Sequence, residues 1–370
     1  MLPTTRRHDI DWLRVIAIGL LLIYHIAICF QPWGVLIGFI QNGEPLEAIW
    51  IPMSMLNVWR IPLLFFVSGM GVCFAIGKRN WKQLLLERSQ RILLPFVFGI
   101  FAIVPLHVFI WQRYYHQDIQ YVINPMHLWF LGNIFIYVLL LLPLFFYLKA
   151  NQNGVVRKWL SSLFSTPFGL SLITIPFMAE AVLVNPEAFE LYAMTFHGFW
   201  LGLLAFLMGF CCIYSGEKFW KTVSKWRKLF FIVGFSLYLF RLIIFDLKGP
   251  NYQMAFESIM WIFAVFGFAY KYLNRPSKVL NYLSQAAYPI YIIHMVFLYL
   301  GSSWFFPLEM APAFKFIATS LFTAMGCFVT YELIIRRVNV IRPLFGLKVV
   351  ERKIEKPVET MSSLGANVIS

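Results

Sequence analysis

The sequence predicts an all-α membrane protein, a bundle of about ten transmembrane helices. Three observations carry that prediction. The 370 residues are 60% hydrophobic and only 13% charged, where a soluble domain carries about 45–50% apolar and about 25% charged residues. The apolar residues gather in runs of about 20, the length a helix needs to cross roughly 30 Å of hydrocarbon. Lys and Arg fall on alternate connections between those runs, as the positive-inside rule requires.

The spans are read at 10–30, 52–76, 92–112, 127–148, 168–184, 197–214, 229–246, 253–272, 283–300 and 314–335. Helix is expected for each, because backbone polar groups in lipid must be satisfied within the segment. Pro62, Pro143 and Pro176 fall inside spans and predict kinks rather than ends. The first run, behind Arg6 and Arg7, has the outline of a signal peptide. It carries Asp11 and Arg14, however, and no small-residue cleavage site follows, so a retained first span is expected.

The net charge is +14. In a soluble chain this would point to nucleic acid. Here its distribution is topological, and no nucleic-acid partner is expected. The N-terminus and one set of connections hold Arg6, Arg7 and the basic residues of 78–91, 149–158, 218–228, 271–278 and 336–342, whereas the opposite loops hold only Arg113, Lys248 and Lys315. Both termini are therefore expected in the cytoplasm, N-in and C-in. Residues 1–350 form one membrane domain, and 351–370 read as a short, disordered cytoplasmic tail. The five cysteines, Cys29, Cys73, Cys211, Cys212 and Cys327, sit in apolar runs without metal-ligand spacing. They read as small hydrophobes, with neither a disulfide framework nor a metal site. No internal repeat is evident, which weakens the case for a transporter built from inverted repeats.

Ionisable residues inside spans are costly and mark function more often than not. Asp11, Arg14 and His25 share the first span. At about 100° per residue, the eleven steps from Arg14 to His25 return to nearly the same face, and the rise puts His25 roughly 16 Å farther along. Asp11 and Arg14, three apart, are neighbours. This stripe reads either as a salt bridge with a structurally satisfied histidine or as a functional groove. Arg60, Glu180, Arg241, Glu257, His294 and Glu332 are also intramembrane, and His127 and His197 stand at the outer mouths of their spans. Glu332 has Arg336 four residues on and is expected to pair with it. Glu180 and Glu257 have no local partner. Tyr288, Tyr291 and His294 share a face by spacing three, as packing or as the wall of a polar pocket. Ser68 and Gly69 fall mid-span, where small residues permit close helix packing. Arg88 and Arg91, three apart where the third span begins, serve either as interface anchors or as an anion site for phosphates.

Taken in order, these residues resemble the acyltransferase-3 family of bacterial membrane O-acyltransferases. The resemblance runs through DWLRVIAIGLLLIYH with Arg14 and His25, FFVSG, RSQR with Arg88 and Arg91, HLWFL beginning at His127, and YPIYIIH ending at His294. Arg60 before FFVSG and the ending TYELIIRRV look most like the branch of glucan succinyltransferases, the glucan biosynthesis protein C type. The esterase-like SGNH domain that often accompanies the family is not expected in this chain.

The resemblance implies an acyl group, acetyl or succinyl, passed from cytoplasmic acyl-coenzyme A to a hydroxyl of an envelope glycan at a bacterial inner membrane. It makes His25 catalytic, and counts Asp11 and Arg14 with it as the residues that position the helix or the donor at the cytoplasmic mouth. It puts the donor near Arg88 and Arg91. Arg60, Ser68, His127, Trp129, Tyr291 and His294 are the expected substrate-binding residues. Acyl-coenzyme A, a glycan and the lipid bilayer are the expected partners. A secondary transporter or flippase for an anionic metabolite is the alternative, supported by the buried charges, and a sensor or scaffold without chemistry is a third class.

Overall fold

The computed structural model describes residues 6–350; the expected tail at 351–370 lies outside them. Among these residues ten helices are long and apolar enough to cross a bilayer. We label them α1 His8–Ile28, α2 Glu47–Ile76, α3 Trp81–Tyr114, α4 Met126–Ala150, α5 Pro167–Val184, α6 Phe196–Tyr214, α7 Glu217–Phe245, α8 Asn251–Tyr272, α9 Lys278–Phe305 and α10 Pro312–Ile335. All ten expected spans are present. Two begin more than ten residues before the hydropathy indicates, at Trp81 and Glu217. There the helical hydrogen bonding runs on through polar residues outside the apolar run, which hydropathy cannot register.

α2 is the hub. Buried residues make up 83% of its apolar stretch, against 22% for α7 and α10 at the periphery. It packs on α1, α6 and α8, and α1 also packs on α9. Small residues set the closest approach. A Cβ on Gly69 would lie 1.9 Å from the Phe206 carbonyl oxygen, and one on Gly209 would lie 2.0 Å from that of Phe66. The expectation of close packing at Ser68–Gly69 is met, and a larger residue at either glycine would force α2 and α6 apart. Pro62 and Pro143 sit within continuous helices, whereas the fifth span breaks at Leu172–Ile173, ahead of Pro176.

Contacts sort the connections onto two faces. On one, Arg6 donates to Asn281, Lys149 to the Arg79 carbonyl and Arg157 to the Tyr214 carbonyl. On the other, Gln41 meets Tyr115, Tyr299 meets Gly38, and Asn251 meets the Pro186 carbonyl. The first set holds the basic connections, so we call it the basic face.

Buried charges pair across helices at two places. Arg241, fully buried, donates to both oxygens of Glu257 at 3.0 and 3.1 Å. Glu180 lies 2.9 Å from His197 Nδ1. These partners come from neighbouring helices, which is why the sequence shows none. Glu332 pairs with Arg336 as expected, at 2.8 Å. All five cysteines are free and buried.

Candidate active site

One cavity of about 640 Å³ runs through the bundle. Its wall begins at the basic face with Arg14, Arg88 and Arg91, passes His25 and Arg60, and reaches Leu191 and Met194 of the loop between α5 and α6. Two tiers of side chains organise it.

The lower tier is cationic. α1 and α2 run antiparallel here, and Gly71 of α2 faces Arg14, with a Cβ there 4.0 Å from Arg14 Nη2. Arg88 Nη2 donates to the Gly71 carbonyl at 3.3 Å, while its Nε is buried without a partner. The backbone of α3 widens into a π-helical turn at Ser89–Leu93, immediately after Arg88. Such turns interrupt the regular register and recur at functional sites. Arg91 is held only loosely, its Nε 3.6 Å from Glu87. Asp11 is not part of the cavity wall: its carboxylate takes Arg6 at 2.8 Å and Arg14 at 3.6 Å, so it steadies Arg14 from behind.

The upper tier stands the same number of residues higher on both helices. His25 stands eleven positions after Arg14 on α1, and Gly71 eleven positions after Arg60 on α2. His25 and Arg60 are therefore level, roughly 16 Å above the lower tier by helical rise. The Arg60 guanidinium lies 3.8 Å over the Tyr24 ring. Arg60 is 2% exposed, and its sole hydrogen bond is to Asn57 Oδ1 at 3.3 Å. Its Nε and Nη1 have none. A buried guanidinium without a carboxylate is costly in a protein interior.

Hydrogen bonding fixes the histidine protons. His294 Nδ1 lies 2.7 Å from the Tyr291 carbonyl oxygen, and its Nε2 lies 2.8 Å from His25 Nδ1. A carbonyl oxygen only accepts, so Nδ1 of a neutral His294 carries the proton and its Nε2 is the acceptor. His25 Nδ1 must then donate, and the lone pair of His25 stands on Nε2, on a side chain that lines the cavity. His294 itself is fully buried behind His25 and does not reach the wall.

His127 differs from its expected place at an outer mouth. It lies inside the bundle, with Nε2 3.0 Å from the Ile292 carbonyl and its ring 5.2 Å from His294. The chain after α3 folds back along that helix, where Tyr121 donates to the Phe101 carbonyl at 2.6 Å. This lowers the start of α4 into the bundle. Ser68, Trp129 and Tyr291 line the cavity as well. Ser68 donates to the Leu64 carbonyl at 2.8 Å, and Tyr291 donates to the His127 carbonyl.

Sequence reasoning misses His107, which lines the cavity with its ring 5.3 Å from His127 and 5.1 Å from Tyr299. The rule that singles out ionisable residues within spans applies to it equally. Sequence reasoning also misses Tyr24, beneath Arg60, and Glu190 in the α5–α6 loop, 3.6 Å from Arg241. Burial raises the Glu190 carboxyl above its ordinary value, and Arg241 opposes the shift.

A family profile described as an acyltransferase domain matches residues 7–332, nearly the whole chain. The chain belongs to the acyltransferase-3 family. The protein is thus a membrane acyltransferase of the O-acyltransferase type. Comparison with curated proteins and with solved structures gave no match.

Proposed function

We propose that this acyltransferase moves a succinyl group from acyl-coenzyme A, bound at the basic face, to a sugar hydroxyl of an envelope glycan on the opposite side. The observation that carries the reading is the single cavity. It joins three arginines at one face to an imidazole and a buried guanidinium deeper in, and continues to the other face. In this reading the basic face is cytoplasmic, and the membrane is a bacterial inner membrane. The phosphates of the donor lie at Arg88 and Arg91 beside Arg14, since charge-assisted contacts suit a polyanion. The pantetheine arm bridges the roughly 16 Å to His25.

His25 Nε2 takes the proton of the sugar hydroxyl as its oxygen attacks the thioester carbonyl. The carbon–sulfur bond breaks, the ester forms, and the proton returns from Nε2 to the leaving thiolate. His294 holds the His25 ring in the required tautomer and orientation, so it is a positioning residue. Ser68, His127, Trp129 and Tyr291 shape the path of acyl group and acceptor.

Arg60 favours succinyl over acetyl. Its unpartnered nitrogens, level with His25, match the terminal carboxylate of a dicarboxylic acyl group. This agrees with the resemblance to the glucan succinyltransferase branch. The transporter alternative gains nothing from Arg241, Glu257, Glu180 and His197, which pair among themselves.

The experiment is transfer of labelled succinyl and acetyl groups from their coenzyme A thioesters to glycan by purified protein. Loss of a charge-assisted pair costs about 1.5–3 kcal/mol, roughly 10- to 150-fold. Arg60→Met should lower kcat/KM for the succinyl donor by that factor and leave the acetyl donor nearly unchanged. Equal losses with both donors would remove the argument for succinyl.

A further inference from the structure

The family match ends at residue 332, near the end of α10. The described chain continues to residue 350 and turns back across the basic mouth of the cavity. Arg342, Gly346, Leu347 and Lys348 line that mouth, as do Ser284 and Gln285 of α9.

This strap is anchored at several points. Phe345 is buried and meets Phe98 of α3 edge to face at 5.4 Å. Gly346 has φ +71°, and a Cβ there would lie 2.5 Å from the Tyr288 ring and 2.9 Å from the Arg91 carbonyl oxygen. The position thus favours glycine by backbone and by space. Asn339 accepts from Val350 N at 3.0 Å and donates to its carbonyl at 2.8 Å. Arg342 ties the strap to itself, Nε to the Lys348 carbonyl and Nη1 to that of Arg336, both at 2.7 Å.

The consequence is electrostatic. Arg342 and Lys348 join Arg14, Arg88 and Arg91 around one opening. The nearby carboxylates, Asp11 and Glu87, are shared with Arg6 and Arg79. Five cations with so little local compensation repel one another, and a ligand carrying several phosphates relieves that repulsion. A pantetheine thioester alone carries none.

Resting on the donor reading above, we propose that the strap is part of the donor site. Arg342 and Lys348 bind phosphates of the nucleotide half of coenzyme A, and the strap selects nucleotide-bearing thioesters over bare pantetheine thioesters.

The test uses the full chain in lipid nanodiscs with two readouts. The first is equilibrium binding of 3′-phospho-ADP, the donor without its pantetheine arm. Wild type should bind it, and Lys348→Ala should bind about tenfold more weakly, the effect of removing one charge-assisted hydrogen bond. Lys348 is exposed, so this variant keeps the fold. Gly346→Val, which displaces the strap, should weaken binding further. The second readout is turnover of succinyl-coenzyme A against succinyl-pantetheine. KM for the first should rise about tenfold in Lys348→Ala, while turnover of the second stays unchanged. Absence of nucleotide binding by wild type, equal binding in Lys348→Ala, or parallel losses with both donors would overturn the proposal. Wild type that binds nucleotide in a Lys348-dependent manner but transfers no acyl group would overturn the proposed function and leave the strap assignment standing.

Discussion

The two tiers of the cavity hold positive charge in different ways. At the basic mouth, Arg14 and Arg91 have side chains 36% and 42% exposed, and their carboxylate contacts are long, at 3.6 Å. Water and salt can share in compensating them. In the upper tier, Arg60 is 2% exposed, with one hydrogen bond at 3.3 Å and the Tyr24 ring 3.8 Å beneath it, and His294 is fully buried, held at 2.7 and 2.8 Å and stacked on His25. On the proposed reading the mouth acts through summed charge, to which each arginine adds a part, and the upper tier acts through position, where one displaced atom matters. This difference sets the order of the expected mutational effects.

His25→Ala should have the largest effect. Loss of a general base costs about 100- to 10,000-fold, so transfer should fall near the detection limit. Removing a polar side chain from a span eases insertion, so expression should persist. Donor binding should also persist, because the arginines are untouched. Activity at half the wild-type rate in a well-expressed protein would break the assignment of chemistry to the upper tier.

Arg88→Ala with Arg91→Ala should act on donor affinity and spare the maximal rate. Removing each arginine–phosphate pair costs on the order of 1.5–3 kcal/mol, discounted for the half-exposed Arg91, which gives roughly a hundredfold rise in donor KM. Raising ionic strength should produce the same trend in wild type, since exposed charges are screened within about 10 Å at 0.1 M salt. An unchanged KM would reduce both residues to interface anchors.

A smaller effect is expected behind the first layer of the upper tier. His294→Leu removes the acceptor for His25 Nδ1 and should lower kcat about tenfold, in the range for removal of an orienting partner. KM should hardly move. His294→Gln, whose side-chain carbonyl can accept the same hydrogen bond, should recover part of the rate. A purely structural role would give equal losses in both variants.

The same contrast explains what the sequence makes legible. Span count, the alternation of basic connections and the Arg14–His25 stripe are properties of single helices, and helical periodicity reports them directly. The pairs Arg241–Glu257 and Glu180–His197 join different helices. So does the His25–His294 contact, across 269 residues. No local pattern encodes such meetings. His127 is placed by the backward fold of residues 115–125, which the hydropathy of the neighbouring spans does not reveal. Arg342 reads as part of the positive-inside bias, and the packing of Phe345 and Gly346 brings it and Lys348 to the cavity.

The smallest effect should come from an exposed ion pair with short contacts. Arg336 Nη1 donates to both oxygens of Glu332, at 2.9 and 2.8 Å, and Arg337 lies 4.0 Å away. By contact geometry this group surpasses anything Arg60 makes. Yet its members are 35–64% exposed. Water offers both partners nearly what they offer each other, and two long side chains must be held still to keep the pair. The pair also stays away from the cavity wall. Glu332→Gln should thus leave thermal stability and acyl transfer indistinguishable from wild type, measured side by side with Arg60→Met in the same membranes. A loss for Glu332→Gln comparable to that for Arg60→Met would mean that burial is not what separates the two. The end of α10 would then have to be counted as part of the working site.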